Sequence, residues 1–265
     1  MFSNPIFETK NCMSKPLILV TNDDGIAAPG IRALVEVAKK FGEVYVVAPD
    51  KPQSGMGHAI TLNSTLRVNN VNIDPEVKEY STSGTPVDCV KLAVKKILPR
   101  KPDLLLSGIN HGSNSSISVI YSGTMSAAVE GALENIPSIG FSLCDHGIDA
   151  DFSAAKIMAA KVIESALKNG IPPHTCLNVN FPKLSIDEIA GIKVCRQAGS
   201  IWEEDFDERT DPYGKKYYWL SGVMNAYDKT EDTDEWALEN NFVSVVPVQF
   251  DLTAHKHINY ISNWF

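Results

Sequence analysis

Two adjacent carboxylates close an apolar run near the start of the chain: "LILVTNDDG", residues 17–25, sets Asp23 and Asp24 directly after a stretch of β-forming residues. Like charges this close disfavour each other's ionisation, and a strand's period of two would send them to opposite faces. Gly25 admits backbone angles that other residues avoid. The chain can therefore turn there and aim both carboxylates at one point, where a divalent cation would keep both ionised. Taken alone, the stretch reads equally as an Asp-Gly turn with Asp23 capping the next helix. Two later stretches add oxygens of the same hard type. "KPQSGMGHAIT", 51–61, is a glycine-rich loop with the hydroxyl of Ser54, and "SGINHGSN", 107–114, supplies the amide oxygens of Asn110 and Asn114. Carboxylate, hydroxyl and amide ligands suit Mg2+ or Mn2+ better than zinc, and calcium less well because carboxylates are few. "YSGTMSAAVEGAL", 121–133, places Ser122, Gly123 and Thr124 at a helix start. Free N–H groups and the helix dipole favour phosphate at such a point, although Ser122 is also an ordinary hydroxyl cap. A metal site and an anion site on one edge make a metal-assisted phosphate-ester hydrolase.

The elements needed to hold these residues are legible in the same sequence. "PGIRALVEVAKKFG", 29–42, has Pro29 early, apolar residues at helical spacing and Gly42 as a stop, and "VYVVAP", 44–49, reads as a second strand. "GTPVDCVKLAVKKIL", 84–98, offers Thr85 as cap, Pro86 at the first helical position and Asp88 to close a capping box. "PDLLLSG", "PSIGFSL" and "TCLNVNFP" read as further strands, with helices at 122–135 and 151–170 between them. Alternating apolar strands and helices predict a Rossmann-like three-layer α/β core, its mostly parallel sheet covered on both faces. Ligands gather at the carboxyl ends of such strands, which is where the chemistry-bearing stretches fall. The pattern changes near residue 186. "GIKVCRQ", "KKYYWLSG" and "FVSVVPVQF" are strand-like, with acidic loops and no convincing helix. The expected organisation is an N-terminal extension over 1–14, a catalytic core over 15–185 and a β-rich extension over 186–265.

Composition narrows the classes. A chain of 265 residues with 44% hydrophobic content can bury a full core. No run approaches the roughly 18 apolar residues of a membrane helix, and the start lacks a signal-peptide pattern, which predicts a cytoplasmic protein without membrane partners. Cys12, Cys89, Cys144, Cys176 and Cys195 are scattered without a CxxC pair, as expected of core fillers in a reducing compartment. The net charge of −8 lies in "EEDFDERTD", 203–211, and "DKTEDTDE", 228–235, which read as solvated surface; the remaining residues carry about +1. The core can thus receive an anion, and nothing resembles a basic stripe for a nucleic-acid polymer.

The ordered motifs "ILVTNDDGIAAPGI", "VVAPDKPQSGMGHAIT", "SGTPVDCVKLA", "PDLLLSGINHGSNSSISVIYSGTMSAAVEGAL" and "LNVNFP" resemble those of the SurE family, the survival protein E 5′-nucleotidases. The resemblance covers most of residues 15–182, with weaker similarity in "DPYG", "YYWLSG" and "TDEWALENNFVSVVPVQFDLTA". It implies a metal-dependent phosphatase acting on nucleoside 5′-monophosphates and a homodimer or homotetramer built through the C-terminal extension. The family's ligands for one Mg2+ or Mn2+ per subunit fall on Asp23, Asp24, Ser54 and Asn110. Members commonly carry "NxGxD" with an acidic pair before "YSGT". Here the stretch is "NHGSNSSISVIYSGT", so Ser115, Ser116 and Ser118 offer no carboxylate.

On this reading Asp23 and Asp24 are catalytic, with Asp23 orienting the attacking water, and Asn22, Gly55, His58, Asn114, Ser122, Gly123 and Thr124 bind phosphate or substrate. His58 and His111 sit in the two candidate loops, each able to protonate a leaving alkoxide or to be simply solvated. His255 and His257 would share one side of a strand, without a third ligand nearby. Trp202, Trp219, Trp236 and Trp264 are expected to pack subunits together before stacking a base from a neighbour. Two alternatives stand: a covalent aspartyl-phosphate mechanism on Asp23, and a catalytically silent nucleotide-binding oligomeric module. The sequence leaves 3′-nucleotides and short polyphosphate open as further substrates.

Overall fold

The computed structural model describes residues 15–147 and 149–265. The extension expected over 1–14, with Cys12, lies outside the described residues. Strand β1 (Leu17–Thr21) is buried along its whole length, because it runs through the middle of the sheet between β2 (Glu43–Pro49) and β5 (Leu104–His111), parallel to both. Beyond β2 come β4 (Lys78–Thr82), also parallel, and the antiparallel edge strand β3 (Val68–Val71). Beyond β5 come β6 (Ser138–Leu143) and β7 (Thr175–Phe181), both parallel.

Helices cover both faces, as the continuous apolar strands require. Helix α1 (Pro29–Ala38) packs with α4 (Ser153–Asn169) on one face, where Ile31, Leu34, Met158 and Ile163 join Ile18, Val20 and Leu106. Helices α2 (Pro86–Leu92) and α3 (Gly123–Leu133) cover the other, with Cys89, Val90 and Ala127 against Leu19, Val47 and Leu105. The capping box of α2 is present: Asp88 N–H donates to the Thr85 hydroxyl at 3.2 Å, and Thr85 N–H donates to Asp88 Oδ2 at 3.0 Å. A single π turn, 93–97, continues α2.

The chain leaves β1 toward β2 and returns on the far side of β1 as β5. That reversal opens a crevice outside the carboxyl ends of β1 and β5, where open α/β sheets bind their ligands. Asp23 and Asp24 follow β1, and Asn110 closes β5, so the switch point unites them.

Residues 186–265 divide into two parts. Strand β8 (Gly191–Val194) and strand β11 (Phe242–Gln249) extend the central sheet, β11 lying antiparallel to β7 and parallel to β8. Only β9 (Ser200–Thr210) and β10 (Lys216–Ala226) stand apart, as a two-stranded antiparallel hairpin. A short helix that the sequence reading did not include, α5 (Asp234–Glu239), begins where the Thr233 hydroxyl accepts from Trp236 N–H. Its cap and acidic first turn were visible in "TDEW", but six residues carry too little periodicity to announce a helix. His255 and His257 are not strand residues. They lie in a 3-10 turn before α6 (Ile258–Ser262), and His255 Nε2 pairs with Asp251 Oδ2 at 2.7 Å, which removes any shared face for metal binding.

Candidate active site

Gly25, at a φ of +99°, turns the chain immediately after the two aspartates. The buried side chain of Asn22 locks this turn, its Nδ2 donating to the Gly25 carbonyl at 2.9 Å. The next helix is capped at Ala28 without a side-chain bond, so Asp23 is free of that task. It is 5% exposed, and its Oδ1 accepts the Thr124 hydroxyl proton at 2.5 Å. Burial pushes the Asp23 carboxyl up to about 6, Thr124 opposes the rise and neighbouring Asp24 adds to it. The Asp24 carboxyl is also raised, chiefly by burial, and the His111 N–H facing its Oδ2 at 3.4 Å pulls the other way.

Backbone bonds bring the glycine-rich loop to this pair. Gln53 N–H donates to the Asp23 carbonyl at 2.7 Å, and Gly57 N–H to the Tyr121 carbonyl at 3.2 Å. Ser54 and Gly55 lie between those two anchors. At the end of β5 the register shifts between Ser107 and Asn110, and the Asn110 amide donates to the carbonyls of His111 and Gly112 at 3.2 and 2.9 Å. With its nitrogen so engaged, the Asn110 side chain offers its oxygen. Asn114 is fixed by Ser142, Asn178 and Asn180: its Nδ2 donates to Ser142 Oγ at 2.8 Å, its N–H to Asn180 Oδ1 at 2.8 Å, and its carbonyl accepts from Asn178 Nδ2. Ser122 caps α3, its hydroxyl accepting from Met125 N–H at 3.0 Å.

Asp23, Asp24, Ser54, Asn110, Asn114 and Ser122 therefore line one cleft of about 710 Å3 at the switch point. The sequence model of the family described as Survival protein SurE matches residues 18–204, which carry all six of these residues. This chain belongs to the SurE family. Two curated SurE relatives agree along nearly the whole length. The 5′-nucleotidase SurE of Flavobacterium psychrophilum is 62% identical over 95% of this chain and 98% of its own. That of Flavobacterium johnsoniae is 63% identical over 94% and 97%. A solved SurE protein from Aquifex aeolicus is 42% identical, with a TM-score of 0.81 over 94% of this chain and 99% of that one.

In this SurE-family chain the other expected residues divide. Gly55 lines the cleft. Gly123 and Thr124 act on it through Asp23: Thr124 is wholly buried beneath it, and a Cβ on Gly123 would stand 2.7 Å from that of Asp23 and 2.9 Å from Oδ2. Asn22 faces its own turn. His58 is directed away, its Nε2 3.0 Å from the buried Glu130, which also accepts from Lys91. His111 lines the cleft with its ring edge-on to Phe152.

Sequence reasoning missed one whole wall. His146, Tyr121, Trp202, Glu204, Leu220 and Gly222 also line the cleft, the last four from the hairpin. Trp202 thus faces this chain's own cleft and Glu204, though exposed, lines it as well, whereas Trp236 packs against Phe242 and Lys193. His146 follows the strand read in "PSIGFSL" by three residues, a strand-end position; no local signal reveals where a hairpin folds back.

Proposed function

We propose that this chain hydrolyses nucleoside 5′-monophosphates to nucleoside and phosphate with a bound Mg2+ or Mn2+. The observation that carries the reading is the convergence of two carboxylates, a hydroxyl, a free amide oxygen and a capped helix start on one cleft. The relatives' name, 5′-nucleotidase SurE, supports it.

The donor set fits a hard divalent cation. Asp23 and Asp24 are adjacent anions with raised carboxyls, a state that a cation relieves. Among the described residues no three His, Cys, Asp or Glu side chains cluster for a metal, so the hydroxyl of Ser54 and the oxygen of Asn110 complete the set, an all-oxygen choice. When bound, such an ion supplies Lewis acidity toward a phosphoryl oxygen and lowers the pKa of water.

The chain's own residues do the rest. Ser122, Gly55 and Asn114 receive the phosphoryl oxygens, with the N–H groups opening α3 turned toward negative charge. Thr124 holds one oxygen of Asp23. The other is left to orient the attacking water and take its proton. Attack runs in line with the leaving 5′-oxygen.

A panel of mononucleotides assayed for phosphate release, with and without chelator and with Asp23→Asn, tests the assignment. Turnover should require metal and vanish in the variant. Metal-independent turnover, or full activity of the variant, would overturn it, and a trapped phosphoenzyme would replace the water route by the covalent one. We further infer a cytoplasmic homodimer or homotetramer joined through the C-terminal extension. The exposed Trp219, Leu252, Trp264 and Phe265 support this, and light scattering tests it.

A further inference from the structure

We propose that one face of the β9–β10 hairpin is the base subsite of this cleft, and that Glu204 selects bases with two adjacent N–H donors, guanine first. The inference rests on the mononucleotide reading above and adds what that reading leaves undetermined, the preferred base.

The register places the wall. Glu204 pairs directly with Gly222, so these two share a face, and Trp202 and Leu220 lie two residues from each along their strands, on that same face. All four line the same cleft as Asp23, Asp24 and Ser122, from a different element of the chain. Trp202, 37% exposed, supplies a flat aromatic surface and Leu220 an apolar one. Gly222 puts no side chain opposite Glu204, which leaves the carboxylate open to the cleft.

An apolar and aromatic wall bearing one carboxylate does not suit a phosphate, so the substrate is oriented with phosphate at the aspartate end and base at the hairpin. Stacking on an aromatic surface favours purines by area. The carboxylate accepts hydrogen bonds only. Guanine offers N1–H and the N2 amine side by side, matching both carboxylate oxygens. Hypoxanthine offers N1–H alone, and adenine an amine beside a lone pair. Uracil flanks its single N–H with two carbonyl oxygens that the carboxylate repels.

The test compares kcat/KM for GMP, IMP and UMP in the metal-loaded wild type, Glu204→Gln and Trp202→Leu, with p-nitrophenyl phosphate as a substrate lacking any base. The wild type should prefer GMP to UMP by about tenfold or more. Glu204→Gln should erase the GMP–IMP difference and raise UMP, whose carbonyl oxygens the neutral amide no longer repels. Trp202→Leu should lower both purine nucleotides more than UMP, with circular dichroism certifying the fold. Independently, guanosine should quench tryptophan fluorescence in the wild type and not in Trp202→Leu. Equal kcat/KM for the three nucleotides, or an equal loss on all three in Glu204→Gln, overturns the inference; the latter would put the carboxylate on the ribose. Turnover of p-nitrophenyl phosphate with no mononucleotide hydrolysed would instead sink the nucleotidase reading, so the two failures are distinct.

Discussion

The Thr124 hydroxyl donates to Asp23 Oδ1 at 2.5 Å, and both side chains are buried. Two motifs a hundred residues apart in the chain are thus joined by one bond: the helix that opens with "SGT" also fixes the carboxylate after β1. Thr124 is a positioning residue for Asp23.

Replacing Thr124 by Val keeps the shape and removes the donor. The expected result is a loss of about 1–3 kcal/mol in stability, since a buried carboxylate oxygen loses its partner. Weaker Mn2+ binding should accompany it, and Thr124→Ser should restore both. Titration calorimetry and chemical denaturation check this.

Gly123→Ala probes the same carboxylate sterically. The new Cβ would fall 2.7 Å from the Asp23 Cβ, so the aspartate must shift. The cost of misplacing a reacting group is about 100-fold in rate. Turnover should fall on that order while circular dichroism stays native; retained turnover would remove Asp23 from the chemistry.

The raised Asp23 carboxyl makes metal-free stability depend on pH. With a folded value of about 6 against an ordinary 3.8, the native state keeps its proton longer than the unfolded chain. Stability therefore falls as pH rises through that window, by about 3 kcal/mol in all, and Asp24 adds in the same sense. In chelator, Asp23→Asn should melt higher than the wild type at about pH 7 and lose that advantage at about pH 4. Added Mn2+ should stabilise the wild type and not the variant.

Asp234 ties the hairpin to the core. One of its oxygens accepts Ser116 N–H and the other Ala198 N–H, each at 2.8 Å, and the residue is 1% exposed. Asp234→Ala leaves these donors unpaired, at about 1–3 kcal/mol each. Faster hydrogen exchange in 200–226 and a raised KM with little change in kcat are expected, because the wall moves and the aspartates do not.

The sequence by itself determined the alternation of strands and helices, the capping box of α2, the Ser122 cap and the turn after Asp24. Each is a local choice written in neighbouring residue types. The convergence of Asp23, Asp24, Ser54 and Asn110 on one cleft was legible because strand ends of one sheet share an edge. Tertiary structure decided what depended on distant packing. The Thr124 hydroxyl pairs with Asp23, His58 turns to Glu130, and Asn22 closes a turn, because each found a near partner once the helices settled. Strand β11 entered the central sheet, and the hairpin brought Trp202 and Glu204 over the cleft, by pairings between segments far apart in sequence. No local period encodes such pairings. They are fixed by which apolar faces and backbone edges the whole fold leaves to be covered.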